Sequence, residues 1–308
     1  MTPVAIVNPR AGVAARTALK AVKAAGGRFR GLEVRLTERP GHARELAQEA
    51  VAEGRDLVLV SGGDGTVNEV ASGLLGSAVT LGLVPAGSGN GLGRMLGIPS
   101  NPIRALMRLS TAVTRRMDVG TVNGKPFVNI AGAGFDAAVG KAFDEHGRAG
   151  GRRGMFTYFR VGLRTAWGYR TEEYTLDLGQ PGPRRRLLVI GFANGRQYGS
   201  GALIAPRARL DDGLLDVVSI AAAPMSEILV HSPRMFLGRI DGFRHYQHTL
   251  ADRAVLTGAG PIAFHRDGEP EPPAERLEVG ILPKALKILV PLATARAADG
   301  PFAAEGSE

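Results

Sequence analysis

One stretch, residues 56–70, restricts the possible folds of this chain more than any other. Leu57, Val58, Leu59 and Val60 make a short continuous apolar run, the pattern of a strand buried on both faces. It ends in Ser61-Gly62-Gly63-Asp64-Gly65-Thr66, and Val67-Asn68-Glu69-Val70-Ala71 then reads as the opening of a helix. Strand, glycine turn and helix N-terminus in succession offer unpaired backbone N–H groups and a positive dipole end to an anion. Gly62, Gly63 and Gly65 let the backbone approach a phosphate with no Cβ in the way. Asp64 suits a bare phosphate poorly. It suits the turn if a divalent cation neutralises both, or if it orients a loop hydroxyl; the plainer reading is a βα turn with Asp64 as helix cap.

Taken in order, residues 4–7 form a first buried strand that ends in the turn Asn8-Pro9-Arg10-Ala11-Gly12. Residues 14–25 have a helical pattern closed by Gly26-Gly27, and residues 32–36 alternate as a strand with Thr37 at its end. A helix over 44–53 stops at Gly54, and a strand over 81–84 delivers Pro85-Ala86-Gly87-Ser88-Gly89-Asn90-Gly91. Strands alternating with helices to about residue 115 predict a mostly parallel sheet covered on both faces, with ligands beyond the carboxyl ends of its strands. Asn8, Thr37, Gly63 and Ser88 all fall at such ends.

Near Asp118 the pattern changes to short strands: 119–122, 127–131, 174–178, 187–193, 214–220, 254–256, 262–264 and 287–290. Asn123-Gly124 is a favoured two-residue hairpin turn. Helices are expected only over 155–167 and between 226 and 237. The expected architecture is thus an α/β domain over residues 1–118 and a mainly antiparallel β-sandwich or barrel over 119–292. Residues 293–308 form a tail that frays or packs back on the first domain.

The 308 residues suit two domains. The sequence contains no cysteine, which removes disulfides and thiolate metal sites and fits a reducing cytoplasm. The start of the chain reads as a strand, not a signal peptide, and no apolar run approaches the roughly 18 residues of a membrane span. The net charge of +9 points to nucleic acid, an anionic membrane surface or phosphorylated ligands, or reflects an arginine-rich composition. Nucleic acid ranks last, because no stacking aromatics accompany a basic groove pattern.

Several blocks together resemble the diacylglycerol kinase catalytic family of lipid kinases, bacterial soluble members included. They are Asn8-Pro9-Arg10-Ala11-Gly12, Gly62-Gly63-Asp64-Gly65-Thr66-Val67-Asn68-Glu69, Pro85-Ala86-Gly87-Ser88-Gly89-Asn90 and Asn129-Ile130-Ala131-Gly132-Ala133-Gly134-Phe135-Asp136. Ala205-Pro206-Arg207-Ala208-Arg209-Leu210-Asp211-Asp212-Gly213-Leu214-Leu215-Asp216 and Asp267-Gly268-Glu269-Pro270 follow in the expected order. The resemblance implies a first domain folded as in NAD kinases and phosphofructokinases. It implies ATP at Asn8, Pro9, Arg10, Ala11, Gly12, Thr37, Gly62, Gly63, Asp64, Gly65, Thr66, Val67, Asn68 and Ser88. It implies a general base at Asp267, reaching back over the cleft with Glu269 in support. It also implies a structural Mg2+ held by Asp212 and the carbonyls of Arg209 and Leu214. One departure stands out: many bacterial members place Asp after the Asn of the Gly-Thr-x-Asn turn, whereas Gly91 follows Asn90 here. That wording is closer to sphingosine and ceramide kinases, which leaves the acceptor lipid open.

The residues themselves allow blander readings. Asp267-Gly268 suits a hairpin turn, and Asp211, Asp212 and Asp216 form either a hard-cation loop or a solvated turn. Arg148, Arg152, Arg153 and Arg160 precede the amphipathic stretch 155–167; they read as a solvated basic loop, or as a flap meeting anionic headgroups while Met155, Phe156, Phe159 and Trp167 line an acyl-chain entry. Arg184-Arg185-Arg186 adds to such a surface. The six histidines show no metal-ligand spacing. The leading expectation is a cytoplasmic, peripherally membrane-associated, ATP- and Mg2+-dependent lipid kinase of phospholipid biosynthesis. The alternatives are an NAD kinase-like small-molecule kinase and a non-catalytic lipid-binding protein with an idle nucleotide site. Exposed strand edges in the second domain could pair two copies into a homodimer.

Overall fold

The computed structural model describes residues 2–11, 15–25, 27–148, 161–162, 164–165, 169–198 and 201–303. Two compact units emerge. The first comprises Met1–Val119, Arg209–Asp212 and Pro283–Glu308, and the second Gly120–Ala208 and Gly213–Leu282. Arg209–Asp212 and residues 283–292, expected in the second domain, thus group with the first. Local strand patterning cannot reveal such a long-range return of the chain.

The first unit is built on strands β1 (Pro3–Val7), β2 (Glu33–Leu36), β3 (Leu57–Gly62) and β4 (Thr80–Pro85). They lie in the order β2-β1-β3-β4 and every pairing is parallel; the end of β13 (Glu269–Val290) adds to β4 through Lys287 and Ile288. β1 and β3 are buried along their whole length, which explains their unbroken Val, Ile and Leu runs. Helices α1 (Ala15–Lys23), α2 (His42–Ala52), α3 (Asp64–Leu74), α4 (Gly91–Met95) and α5 (Pro102–Ser110) connect and cover the sheet. α1 packs with α5, and α2 with α3. From β1 the chain passes to β2 on one side and, after α2, returns to β3 on the other. The crevice between the ends of β1 and β3 is therefore the switch point where such sheets bind ligands.

Two features tie α2 to α3. Glu69 of α3 accepts hydrogen bonds from Gly41 N–H (2.9 Å) and Ala43 N–H (3.1 Å), capping an α2 N-terminus that its own cap residue leaves bare. Gly73 allows the close approach: a Cβ there would sit 2.7 Å from Arg44 O and 2.8 Å from Ala47 Cβ. At the other end of the chain, residues 292–295 form a short helix, Phe302 is buried, and both Asp211 carboxylate oxygens accept from Ala303 N–H.

The second unit contains β6 (Lys125–Phe127), β7 (Ile130–Gly134), β8 (Glu172–Asp177), β9 (Arg185–Ala193), β10 (Leu215–Ala221), β11 (Tyr246–Ala251), β12 (Arg253–Arg266) and most of β13. The end of β5 (Val113–Val122) pairs with β6 across Asn123-Gly124, both at positive φ as the turn demands. The order β11-β10-β9-β7-β12-β13 is antiparallel throughout. β9 and β12 each change partner along their length, from β8 to β7, so β7, β9, β8 and β12 close a circuit. The layers of the expected sandwich are parts of one hydrogen-bonded sheet. Leu215 and Val217 of β10 enter one core with Phe192 and Phe264, while Val218 and Ile220 enter another with Ile204 and Phe243.

Five expectations need correction. The helix after β3 starts at Asp64, three residues early, because β3 runs through Gly62 and Gly63 is the helix cap. The two short strands expected over 254–264 are one, β12, whose register with β13 shifts around Gly258, Gly260 and Pro261, the residues that read as a break. β13 starts at Glu269, its Glu-Pro-Glu-Pro-Pro opening notwithstanding. Helix α6 (Phe135–Arg148) was hidden by Gly140 and Gly147. The expected helix over 155–167 lies outside the described residues, apart from helical backbone at 161–162 and 164–165. Pro233 splits the expected 226–237 helix into Met225–His231 and Pro233–Phe236.

The Gly73 contact decides the sign of a substitution. Alanine gains about 1 kcal/mol of helix propensity, but overpacking against a backbone carbonyl costs about 1–3 kcal/mol. Gly73→Ala is therefore expected to lower the urea midpoint, and a raised midpoint would show that α2 and α3 yield at this contact.

Candidate active site

The parallel ladder continues past the strands into the turns. Thr37 N–H donates to Val7 O (3.0 Å), Asn8 N–H to Ser61 O (2.8 Å) and Ala86 N–H to Gly62 O (3.0 Å). These bonds bring Asn8, Thr37, residues 62–68 and Ser88 to one rim of the first unit. Across the switch point, Asn8 Nδ2 donates to Thr66 Oγ1 (3.1 Å), and Asn8 Oδ1 accepts from Arg10 N–H (2.9 Å). Pro9 and Arg10 are exposed, and Ala11 N–H donates to Asn8 O. Gly12 lies outside the described residues.

The two glycine turns touch backbone to backbone. A Cβ on Gly87 would lie 2.6 Å from Gly63 Cα, and one on Gly62 would run into the Thr66 side chain. Gly63 caps α3, with Val67 N–H donating to its carbonyl (3.0 Å), while Gly65 lies in the first helical turn and the Asn68 carbonyl accepts from Ser72 Oγ. The first N–H groups of α3, as in any helix, have no acceptor within the helix itself. Ser61 Oγ, buried just before the turn, has no hydrogen-bond partner among the described residues. A buried hydroxyl without a partner is costly, so its place beside the glycine turn favours a polar occupant nearby. Sequence reading missed Ser61, because one serine ending an apolar strand carries no signal.

Asp64 has a definite task in this geometry. Its Oδ2 accepts from Asn90 N–H (2.9 Å) and its Oδ1 from Gly91 N–H (2.7 Å). Through these two bonds the carboxylate clamps the β4 turn. Asn90, at φ 54°, uses its amide to bracket Gly87, accepting from Gly87 N–H (3.0 Å) and donating to Gly87 O (2.7 Å). The residue after Asn90 therefore contributes to the rim through its backbone, a contribution glycine supplies as well as aspartate. Ser88 is exposed at the crest of the same turn.

In the second unit, Asp267 and Gly268 form the two-residue turn between β12 and β13, both at positive φ. The Asp267 carboxylate accepts three backbone N–H groups, from Val128 (2.9 Å), Asn129 (2.8 Å) and Ile130 (3.0 Å), which fixes its orientation. Glu269 opens β13 with its side chain exposed. Behind the turn lies a buried polar group that sequence reading missed. Asp136 Oδ2 accepts from Tyr198 OH (2.7 Å) and bonds His265 Nε2 (2.7 Å), while His265 Nδ1 faces Gly268 N–H (3.2 Å). In the neutral ring, Nε2–H directed at Asp136 leaves Nδ1 to accept from Gly268, a bond given up when Nδ1 is protonated. Gly132 makes room for the pair, since a Cβ there would lie 2.2 Å from Asp136 Oδ2. Burial works against the His265 imidazolium, but the Asp136 carboxylate, helped by Asp267, outweighs it and holds the ring above the ordinary histidine pKa.

The expected acidic cation loop is not a cluster. Asp211 holds Ala303, and Asp216 is buried on β10 with its Oδ1 2.6 Å from His248 Nε2. Arg209 and Asp212 belong to the first unit and Leu214 to the second. One carboxylate and two carbonyls are hard oxygen donors of the kind magnesium takes. Among the described residues, no group of three or more His, Cys, Asp or Glu could hold a metal ion. Likewise among the described residues, no helix is long and apolar enough to cross a membrane. The basic flap with Arg152, Arg153 and Arg160 lies outside the described residues, as does the side chain of Arg148.

Two family models match successive parts of the chain. The diacylglycerol kinase catalytic domain matches residues 2–122, and the YegS C-terminal NAD kinase beta sandwich-like domain matches residues 129–290. A Mycobacterium tuberculosis diacylglycerol kinase is 33% identical over 301 residues, 93% of this chain and 94% of its own. A Pseudomonas aeruginosa protein named "Probable lipid kinase YegS-like" is 32% identical over 280 residues, 90% and 89% of the two chains. A crystal structure from Bacillus anthracis str. Sterne, assigned as a diacylglycerol kinase, superposes with a TM-score of 0.80 at 25% identity, covering 95% of this chain and 96% of that one. An Archaeoglobus fulgidus NAD kinase in complex with ATP superposes at 0.53 and 14% identity over 94% of each chain, a likeness of fold alone.

Two outcomes follow from this geometry. Asp64→Ala leaves two rim N–H groups without their charged acceptor, so a loss of about 2–3 kcal/mol is expected in urea unfolding, with Asp64→Asn intermediate. Unfolding of Asp64→Ala at the wild-type midpoint would show that the clamp carries no stability. For the buried pair, His265→Leu or Asp136→Leu alone is expected to cost about 3–5 kcal/mol and the double variant far less. Because the folded-state pKa of His265 is raised, its share of stability is full below about pH 6.5 and fades as pH rises through the folded value. A His265→Leu penalty that grows with pH would overturn that assignment.

Proposed function

The chain belongs to the diacylglycerol kinase catalytic family of lipid kinases, and from that premise we propose that it transfers the γ-phosphoryl group of ATP to the hydroxyl of a lipid, a diacylglycerol or a sphingoid base. The carrying observation is the rim at the β1–β3 switch point, where two glycine turns meet with no Cβ between them at the N-terminus of α3. Phosphoryl transfer asks a protein chiefly to position reactants and to spread charge. In this reading the amides of residues 63–65, the Thr66 hydroxyl and the Asn8 amide hold the phosphates. Thr37, Ser88, residues 9–12, Val67 and Asn68 shape the rest of the nucleotide site.

In the reaction, the acceptor hydroxyl oxygen forms a bond to the γ-phosphorus, the bond from that phosphorus to the β,γ-bridging oxygen breaks, and ADP departs. Asp267 takes the hydroxyl proton, its carboxylate held in one orientation by three amides, and Glu269 sets the charge beside it. Asp212 and the carbonyls of Arg209 and Leu214 are the residues that would hold Mg2+, which when bound neutralises carboxylate charge and stiffens its loop. The protein would act in the cytoplasm at the surface of the membrane that contains its acceptor.

Incubation with γ-labelled ATP, Mg2+ and mixed micelles of diacylglycerol, sphingosine or ceramide, with NAD as a further acceptor, tests this reading. Label is expected in one lipid class, and Asp267→Asn is expected to lower it by about 10²-fold or more. Label in NAD alone would move the chain to a small-molecule kinase. Lipid binding without label, or full activity in Asp267→Asn, would end the proposal.

A further inference from the structure

The second unit has an apolar ridge that neither of its cores uses. Helices Met225–His231 and Pro233–Phe236 are joined by Ser232, itself in helical conformation, so the segment runs as one kinked helix. Ile228 and Met235, seven residues apart, face inward onto the core around Ile204, Val218 and Phe243. Leu229 and Phe236, and Val230 and Leu237, are spaced in the same way and share a face about two turns long. They remain outside, 39%, 45%, 72% and 68% exposed respectively. Two adjacent residues at each end of a two-turn face form a patch, unlike single surface leucines.

The surroundings of the ridge are basic. Arg234 lies on it and Arg239 directly after it; Arg244 and Arg207 flank it. The Arg184–Arg186 run joins its base, where Ala222 N–H donates to Arg186 O (3.0 Å) and Arg185 Nη1 to Gln247 Oε1 (3.1 Å). Glu173, Glu227 and Asp241 pair with several of these arginines, and the positive charges outnumber them.

We propose that this face docks onto an anionic lipid bilayer, with Leu229, Val230, Phe236 and Leu237 entering the headgroup–acyl boundary and the arginines meeting lipid phosphates. Charge selects this occupant. A second copy using the same face would set like-charged fringes against each other across the two-fold axis, whereas an anionic leaflet complements them. Amphipathic segments combining a short apolar face with arginines bind membrane interfaces through these two contributions. The inference stands whether or not the chain phosphorylates a lipid.

The test is co-sedimentation of the full chain, without ATP, with vesicles of phosphatidylcholine alone or with about 30 mol% phosphatidylglycerol, a density at which surface potential draws basic segments. Binding is expected on the anionic vesicles only, weakened by high salt. Val230→Ser/Leu237→Ser is expected to reduce the partition by about tenfold or more, and Arg239→Glu to reduce it less. All these positions are exposed, so unchanged urea midpoints verify that the variants fold. No vesicle binding, equal binding to neutral vesicles, or wild-type binding by the double serine variant would each overturn the proposal. So would a dimer in light scattering that the double serine variant dissolves, which would make a second copy the occupant. Vesicle binding with no lipid labelled would sink the proposed kinase function and leave this surface standing. Labelled lipid in detergent micelles with no vesicle binding would do the reverse.

Discussion

The rim of the first unit depends on the backbone contact between Gly63 and Gly87. Side chains cannot make this approach, because any Cβ on Gly87 would overlap Gly63 Cα. Once the turns are that close, the Asp64 carboxylate at the start of α3 reaches the Asn90 and Gly91 amides, and the Asn90 amide can bracket Gly87. These bonds close one turn on the other and hold both glycine backbones open on the outer side. A phosphate needs such a surface: donors fixed in advance, with no side chain above them. The cap of α3 is Gly63, not the Asp64 that the sequence suggested; Asp64 opens the helix and directs its carboxylate to the neighbouring turn.

Much of the first unit was legible because each of its turns announces itself locally. β1 and β3 are covered on both faces and therefore read as continuous apolar runs, and glycines or Asn-Pro follow them directly. The second unit was less legible because its strands are long and bent, and its register shifts fall on Gly258, Gly260 and Pro261, residues that also punctuate loops. α6 was missed for a related reason: its glycines lower helix propensity, and the helix packs against β7, β9 and β12, contacts that a single sequence does not reveal. The partner of Asp64 lies 27 residues away and that of His265 129 residues away, separations at which a single sequence carries no pairing signal. The one available hint was Gly132, a glycine inside a strand, which often marks a place that something else must occupy.

The Asp267 turn carries more anchoring than its hairpin geometry requires. Asp-Gly is the pair a tight hairpin favours, and its positive φ angles are observed. The same geometry directs the carboxylate onto three amides of the strand start and places Gly268 N–H against His265. A hairpin alone needs neither the three-amide anchor nor a buried His–Asp–Tyr group behind it. That extra cost in buried polarity is what a fixed carboxylate requires and an ordinary loop does not.

β13 contributes to both units, its earlier residues paired with β12 and its last ones with β4. The edge of β4 accordingly stays open on a growing chain until residues near 287 leave the ribosome. Until then the nascent parallel sheet exposes a hydrophobic strand with unsatisfied amides, the kind of edge that recruits chaperones or wrong partners. The first unit therefore cannot complete its sheet until the strands of the second unit have been made.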